Sequence, residues 1–218
     1  VALALRERRV TSYDIYRGGF LFVIGLSYKT LIANNCAIVA DAAFAKVAVG
    51  LASSEAWLGI IAYSLQIFFD FAGYSLMAIG LGRIMGFHFP SNFNYPYISK
   101  SITEFWRRWH ISLSSWFRDY LYIPLGGNRH GAMRTYLNLF LVFFLCGLWH
   151  GAAWTFIVWG VFHGVILALE RMGLRNWINR LPSTLQYSYT LLLVMLGWVL
   201  FRAETMDEAV SYLMAMFN

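Results

Sequence analysis

The sequence predicts an all-α, polytopic membrane protein. Hydrophobic residues make up 59% of the 218 residues and charged residues only 13%, whereas soluble chains average about 25% charged. The charged residues fall in short blocks between long apolar runs, and a run of roughly 20 apolar residues can cross a bilayer as a helix. The 18% aromatic content agrees, because Trp and Tyr gather at bilayer interfaces.

The first half of the chain contains three apolar segments. Residues 18–33 form the first, which Lys29 interrupts, and residues 36–51 form a weaker one that we expect to be a short or partly buried helix. Residues 57–84 form the strongest. Because this segment exceeds the roughly 20 residues that a bilayer needs, we expect it to be tilted, or broken near Gly73.

A loop over 88–99 precedes a predicted amphipathic helix. Ser101 and Glu104 have the spacing of a capping box, which marks a helix start. Apolar residues then recur at helical spacing, with basic and polar residues on the other side, so the helix is expected at the interface or among other helices. The apolar face contains Ile102, Phe105, Trp106, Trp109, Leu113, Trp116 and Phe117.

The second half contains three further spans. Turn residues over 123–131 end the amphipathic helix, spans follow over 134–149 and 152–169, and a basic connection over 170–183 leads to a last span over 185–201. We count four clear spans and one or two ambiguous segments. Because the sequence opens with the basic run 6–9, we expect no signal peptide there. We also expect residues 1–218 to be part of a single membrane domain whose terminal spans are missing.

Several functional classes are disfavoured by the sequence. The net charge is +6, but the basic residues flank apolar runs, so we expect contact with the lipid bilayer and no nucleic-acid partner. Cys36 and Cys146 lie far apart in apolar surroundings, and no metal-ligand spacing exists, which predicts no metal and no bound cofactor. The phosphate loop, the nucleophile elbow and the His-Glu-x-x-His motif are also missing from the sequence.

His150 is the strongest functional candidate. Residues 135–169 contain no Asp, Glu, Lys or Arg but do contain His150 and His163, and an ionisable group inside a membrane indicates function by default. Glycines at 147 and 151 leave room for another molecule. Apolar surroundings favour neutral imidazole, which can take a proton from a hydroxyl that attacks an activated acyl group. The alternative is a structural imidazole at a helix junction, and glycine-mediated packing explains His163 equally well.

Four more residues are weaker candidates. Arg107 and Arg108 could attract an anionic group such as a phosphate or carboxylate, but we favour binding of lipid phosphates or a role in topology for the two arginines. His110 beside them is either functional or an interfacial anchor. Asp70 stands alone in the span 57–84, and we expect it to pair with a buried cation such as Arg83 and to serve mainly structure.

Five segments, in this order and spacing, resemble the membrane-bound O-acyltransferase family. The resemblance is strongest to the bacterial branch that acylates alginate and teichoic acid, and it extends over nearly the whole chain. The segments are LQIFFDFAGYS (65–75), NFNYPY (92–97), SITEFWRRWHISLS (101–114), RDYLYIPLGGNR (118–129) and GLWHGAAW (147–154).

The resemblance implies a helical bundle around a transmembrane channel in a bacterial inner membrane. It implies His150 as the catalytic residue, with His110 as its companion. It also implies acetyl-CoA or another acyl thioester as donor, a polysaccharide such as alginate as acceptor, and an extracytoplasmic acetyltransferase as partner. The substrate-binding set predicted on this basis is Trp106, Arg107, Arg108, Trp149, Asp70 and Asn94.

Two departures from the family pattern leave the acceptor open. Leu76 stands where relatives usually have Asp, and Lys29 is what remains of a paired-lysine segment. D-alanyl or acetyl transfer to teichoic acid or peptidoglycan is therefore the enzymatic alternative. A transporter with a histidine proton relay, or a membrane scaffold, is the alternative of another class, although no inverted repeat is found in the sequence.

Overall fold

The computed structural model describes residues 9–218, and its architecture confirms the all-α prediction. Five helical runs are long and apolar enough to cross a bilayer. Of the predicted basic run 6–9, all but Arg9 lies outside the described residues. The five runs are Ser12–Ala45, Ser53–Ile84, Gly131–His150, Trp154–Ile178 and Ser183–Arg202.

The first run is continuous, so the prediction of two separate segments at 18–33 and 36–51 is wrong. Helix α1 (Ser12–Ser27) passes through a π-helical turn (Tyr28–Ala33) into α2 (Asn34–Ala45). Polar side chains in this region do not interrupt the helix, because Thr30 and Asn35 donate to carbonyls one turn back, at 2.9 and 2.8 Å.

Helix α3 (Ser53–Ile84) is unbroken, so the break considered at Gly73 does not occur. Its 32 residues extend about 48 Å, which exceeds the bilayer core and requires a tilt. Gly73 instead allows α1 to approach closely, since a Cβ at this position would lie 2.6 Å from the Gly25 carbonyl oxygen.

The predicted amphipathic helix is two helices. These are α4 (Ile102–Arg108) and α5 (Ile111–Phe117), and a π-helical turn (Arg118–Tyr122) follows α5. Half of the predicted capping box is confirmed, since the Ser101 hydroxyl accepts the Glu104 N–H at 3.1 Å. The Glu104 carboxylate accepts the Lys100 N–H at 2.9 Å and not that of Ser101.

The remaining helices complete the bundle. Helices α6 (Gly131–His150) and α7 (Trp154–Leu169) form a tight hairpin, and a π-helical turn (Glu170–Leu174) then leads to α8 (Arg175–Ile178). Helices α9 (Ser183–Arg202) and α10 (Met206–Met216) follow. Helix α10 was not predicted, although Thr205 precedes Glu208 by the three residues typical of a helix cap. The Thr205 hydroxyl accepts the Glu208 N–H at 3.2 Å.

The core of the bundle surrounds α4. Phe105 and Trp109 are buried against Trp198 of α9, with ring centroids 6.3 and 5.0 Å from the Trp198 indole. Trp159 of α7 lies at a similar distance, 5.6 Å, from Trp106. A seven-residue helix is unstable alone, so this packing is what holds α4 in the interior and not at the membrane surface.

Candidate active site

His110 and His150 line one cavity of about 630 Å³. Its walls are mainly apolar and aromatic, and residues of α6 from Leu139 to His150 contribute to it. The cavity therefore follows α6 for about 16 Å. Such a volume accommodates a small-molecule substrate. The polar residues of the wall, apart from the two histidines, are Thr103, Arg107, Ser114, Ser115, Arg118 and Tyr122.

The break between α4 and α5 places His110 in the cavity. His110 has left-handed backbone dihedrals (φ 45°, ψ 55°), which are uncommon outside glycine. Asn92 stabilises the break, because its carbonyl accepts the Ile111 N–H at 2.9 Å and its side-chain oxygen accepts the Ser112 N–H at 3.1 Å. An uninterrupted helix would leave these donors bonded within the helix and would point His110 in another direction.

His150 is the last residue of α6 and lies within a group of aromatic rings. The ring centroids of Trp159 and Phe201 are 5.2 and 5.0 Å from its imidazole. The tight α6–α7 hairpin brings Trp159 there, since a Cβ at Gly147 would overlap the Phe156 carbonyl oxygen, and Phe201 comes from the end of α9. Within residues 9–218 no protein group hydrogen-bonds the imidazole of His150 or His110, so their ring nitrogens are available to a substrate.

The environment of His110 keeps its imidazole neutral. Burial, with a smaller contribution from the nearby His150, lowers the pKa of His110 to about 4. Phe71 packs edge-on against this ring at 4.6 Å. A neutral imidazole has one N–H donor and one nitrogen acceptor, so His110 can exchange protons or donate a hydrogen bond near neutral pH.

Comparison with known sequences assigns the chain to a family. The sequence model of the membrane-bound O-acyltransferases matches residues 11–201. The chain belongs to this family. The resemblance inferred from the five segments is thereby confirmed, and both histidines lie within the matched region.

Curated relatives with similar sequences are acyltransferases by name. A probable alginate O-acetylase of Pseudomonas putida is 54% identical over 90% of this chain and 40% of its own length. A peptidoglycan O-acetyltransferase of Helicobacter pylori is 45% identical over 93% of the chain and 39% of its own length. A teichoic acid D-alanyltransferase of Bacillus subtilis is 35% identical over 85% of this chain and 49% of its own length. The chain thus spans about two fifths to half the length of these relatives.

Six residues of this family member were predicted to bind substrate, and only some of them lie in the cavity wall. Trp106 and Arg107 line it, and Arg107 pairs with no carboxylate within residues 9–218. Trp149 lies outside the cavity lining, with its side chain 59% exposed and its ring 6.3 Å from that of His110. Arg108 binds the Glu104 carboxylate at 2.8 Å and the Asn94 carbonyl at 3.0 Å. Arg108 and Asn94 thus hold the loop before α4 in place.

Asp70 pairs with Lys29 at 2.7 Å, so the suggested Arg83 partner is wrong. Arg83 instead contacts Asp14 at 3.2 Å. Asp70 lies on a smaller cavity of about 410 Å³ that shares Ile67, Phe71 and Phe201 with the larger one. The pairing supports the mainly structural role expected for Asp70, because Lys29 lies in a membrane span and needs a counter-charge.

Replacing Asp70 distinguishes structure from substrate binding. We expect Asp70→Asn to lower the thermal stability of the full-length protein modestly, because Lys29 loses its partner. The double variant Asp70→Asn/Lys29→Met should regain most of the lost stability and should be active. An active single variant with unchanged stability, or a stable double variant without activity, would contradict the structural role. Thermal unfolding and transfer assays on the three proteins provide the measurement.

Several wall residues were not predicted from the sequence. Thr103, Ser114 and Tyr122 line the cavity, yet each resembles an ordinary polar position on an amphipathic helix. The break at His110 changes the direction of the chain that carries Ser114 and Tyr122, and Asn92, which stabilises the break, lies in the loop before α4. The one related signal in the sequence is the pair Asn92 and Asn94, since asparagine is typical of irregular backbone such as the loop that stabilises the break.

Proposed function

We propose that this chain forms the catalytic part of a membrane O-acyltransferase of the bacterial inner membrane, which moves an acetyl group from acetyl-CoA toward a cell-surface polysaccharide. The observation that carries the proposal is the single cavity that contains both histidines. Its walls are mainly apolar and aromatic, and imidazole groups in such a cavity suit proton transfer to and from an already activated group. The 54% sequence identity to the probable alginate O-acetylase of P. putida supports an alginate-like acceptor.

The proposed reaction is attack of an acceptor hydroxyl on the thioester carbonyl. His150 takes the hydroxyl proton as the new C–O bond forms, and His110 donates a hydrogen bond to the carbonyl oxygen as it gains negative charge. Collapse of the tetrahedral intermediate breaks the C–S bond, and the leaving thiolate receives the proton from His150. The products are an acetyl ester and free thiol, so atoms and charges balance. An extracytoplasmic acetyltransferase is the proposed recipient or partner downstream.

Charge distribution supports entry of the donor from the cytoplasm. The start of α6 and the end of α7 lie at the same end of the bundle, because the two helices form a hairpin. Basic residues concentrate there, whereas acidic residues concentrate around α10, near the opposite end; by the positive-inside rule the basic end faces the cytoplasm. The basic residues are Arg129, Arg134, Arg171, Arg175 and Arg180, and the acidic ones Glu204, Asp207 and Glu208.

The basic end also connects to the cavity. Arg118 and Tyr122 belong to the cavity wall, and Arg171 lies close enough to Tyr122 to act on its hydroxyl electrostatically. A phosphate-bearing thioester can therefore bind near Arg107, which has no carboxylate partner within residues 9–218, with its acyl end directed along α6 toward His150. Arg118 is less suited to this role, because its guanidinium pairs with Asp119 at 2.7 Å. The acceptor is proposed to reach the histidines from the opposite end.

The transfer rate should tolerate mild acid. His110, whose pKa is about 4 in the folded protein and 6.5 in the unfolded chain, stays neutral when an exposed histidine would be charged. We expect no loss of transfer from titration of His110 between about pH 8 and about pH 5. The unfolded chain binds this proton first, so the stability contributed by His110 is present above about pH 6.5 and is lost as the pH falls toward 4.

A pH series on the wild-type protein and on His110→Gln measures both effects. The variant should lose the acid-dependent part of the stability change while its transfer rate is low at every pH. If the wild-type transfer rate fell with an apparent pKa near 6.5, and His110→Gln removed this fall, the result would contradict a lowered pKa for His110.

Labelled acetyl transfer tests the proposed function. Membranes that contain the full-length protein are incubated with labelled acetyl-CoA and with alginate, teichoic acid or peptidoglycan as acceptor. We expect label in the alginate fraction. Label in teichoic acid or peptidoglycan would show that one of these, and not alginate, is the acceptor. Absence of label from every polysaccharide and from the extracytoplasmic acetyltransferase supplied with the membranes, with membranes lacking the protein as the baseline, would reject acetyl-CoA as donor.

A further inference from the structure

Glu170 is a buried carboxylate with an unusual set of partners. It is 2% exposed and lies in the π-helical turn directly after α7. Its Oε1 accepts the Ile102 N–H at 2.7 Å, and its Oε2 accepts the Thr103 N–H at 2.9 Å and the Thr103 hydroxyl at 2.5 Å. The Tyr189 hydroxyl donates to Oε1 at 3.2 Å.

These bonds satisfy the start of α4. The first N–H groups of a helix have no partner within the helix, and here Glu170 accepts the first two while Ser101 accepts the third, from Glu104. No Lys or Arg pairs with Glu170 within residues 9–218. The positive end of the α4 backbone dipole therefore provides the compensating charge, and the carboxylate and the helix start stabilise one another.

The position of α4 decides where His110 lies. This helix has only seven residues. Trp106 and Arg107 near its far end, and His110 two residues beyond it, all belong to the cavity wall. A short helix turns as a rigid body, so a small shift at its start displaces the residues at its end. Glu170 comes from the element that continues the α6–α7 hairpin, in which His150 ends the other helix.

We infer that Glu170 is a positioning residue for the reaction: its carboxylate links the hairpin that carries His150 to helix α4, which directly precedes His110, and it fixes the distance between the two imidazoles. A carboxylate suits this role because both oxygens accept hydrogen bonds. Glutamine has the same shape but would place an NH₂ group against an N–H donor.

The test uses Glu170→Gln in the full-length protein, with Glu204→Gln as the matched control at an exposed glutamate. We expect hydrogen–deuterium exchange over residues 102–110 to become about tenfold faster while α7 keeps its protection. The control should exchange like the wild type. Tyr189→Phe, which removes only the fourth hydrogen bond, should change the same peptides by a smaller factor and remains informative if Glu170→Gln does not fold.

A kinetic arm separates positioning from general stability. We expect Glu170→Gln to lower kcat about 100-fold with little change in the KM for acetyl-CoA, since misplacement by about 1 Å costs this much. In a His110→Ala background the same substitution should lower kcat by less than about twofold, because its effect passes through His110.

Two results would overturn the inference. One is unchanged exchange over 102–110 in Glu170→Gln and in Tyr189→Phe. The other is a full, additive loss of kcat in the His110→Ala background. The kinetic arm rests on the proposed function, whereas the exchange arm does not, so a wild-type protein without acetyl transfer would reject the function and still leave the exchange result to decide the role of Glu170.

Discussion

His150→Ala should lower acetyl transfer by about 100- to 10,000-fold, the range that a general base contributes. The imidazole of His150 lies in a cavity of about 630 Å³ between the rings of Trp159 and Phe201. Alanine leaves this aromatic wall intact but removes the only group at that position that can accept the hydroxyl proton. The loss should appear in kcat, with the KM for acetyl-CoA little changed.

His130→Ala provides the matched control. His130 is exposed in the turn before α6 and is not part of the cavity wall. It should keep wild-type transfer, and both variants must reach the membrane in equal amounts. A His150→Ala protein that is folded and transfers acetyl at the wild-type rate would contradict the role of His150 as base.

Gly160→Leu should prevent stable folding of the hairpin that holds His150. A Cβ at Gly160 would overlap the Phe143 carbonyl oxygen, and backbone atoms cannot move aside as a flexible side chain can. Helices α6 and α7 would have to separate, which we expect to cost about 3 kcal/mol or more of unfolding free energy. The higher helix propensity of leucine returns only about 1 kcal/mol.

Gly19→Leu is the control for this substitution. Gly19 also lies inside a helix, α1, but no heavy atom is within 4 Å of the point that a Cβ would occupy there. Thermal unfolding and size-exclusion profiles in detergent measure both variants in the full-length protein. Equal stability of Gly160→Leu and Gly19→Leu would show that α6 and α7 do not pack through Gly160.

The membrane spans could be predicted because the bilayer imposes a length. Predicted bounds of 134–149 and 185–201 differ by only a few residues from the observed Gly131–His150 and Ser183–Arg202. The joining of α1 and α2 could not be predicted in the same way. Lys29 lowers the local hydropathy, and the partner that neutralises it, Asp70, is distant in sequence.

The sequence alone predicts those site residues that are unusual in their own local segment, and it does not predict those whose role depends on distant partners. His150 is identifiable alone, because an imidazole in an uncharged span is costly. His110 depends on a left-handed residue between two helices, and continuous helical periodicity conceals that break. Glu170 resembles an ordinary member of a polar connection, since its partners Ile102 and Thr103 lie 68 and 67 residues away.

Chemical rescue of His150→Gly by imidazole is the most direct measurement of the central claim, that the imidazole at this position moves the proton. The variant leaves a vacancy beside the cavity that free imidazole can fill. We expect negligible acetyl transfer by the variant alone, and transfer that rises with the concentration of neutral imidazole. Transfer by His150→Gly at the wild-type rate without imidazole would contradict it.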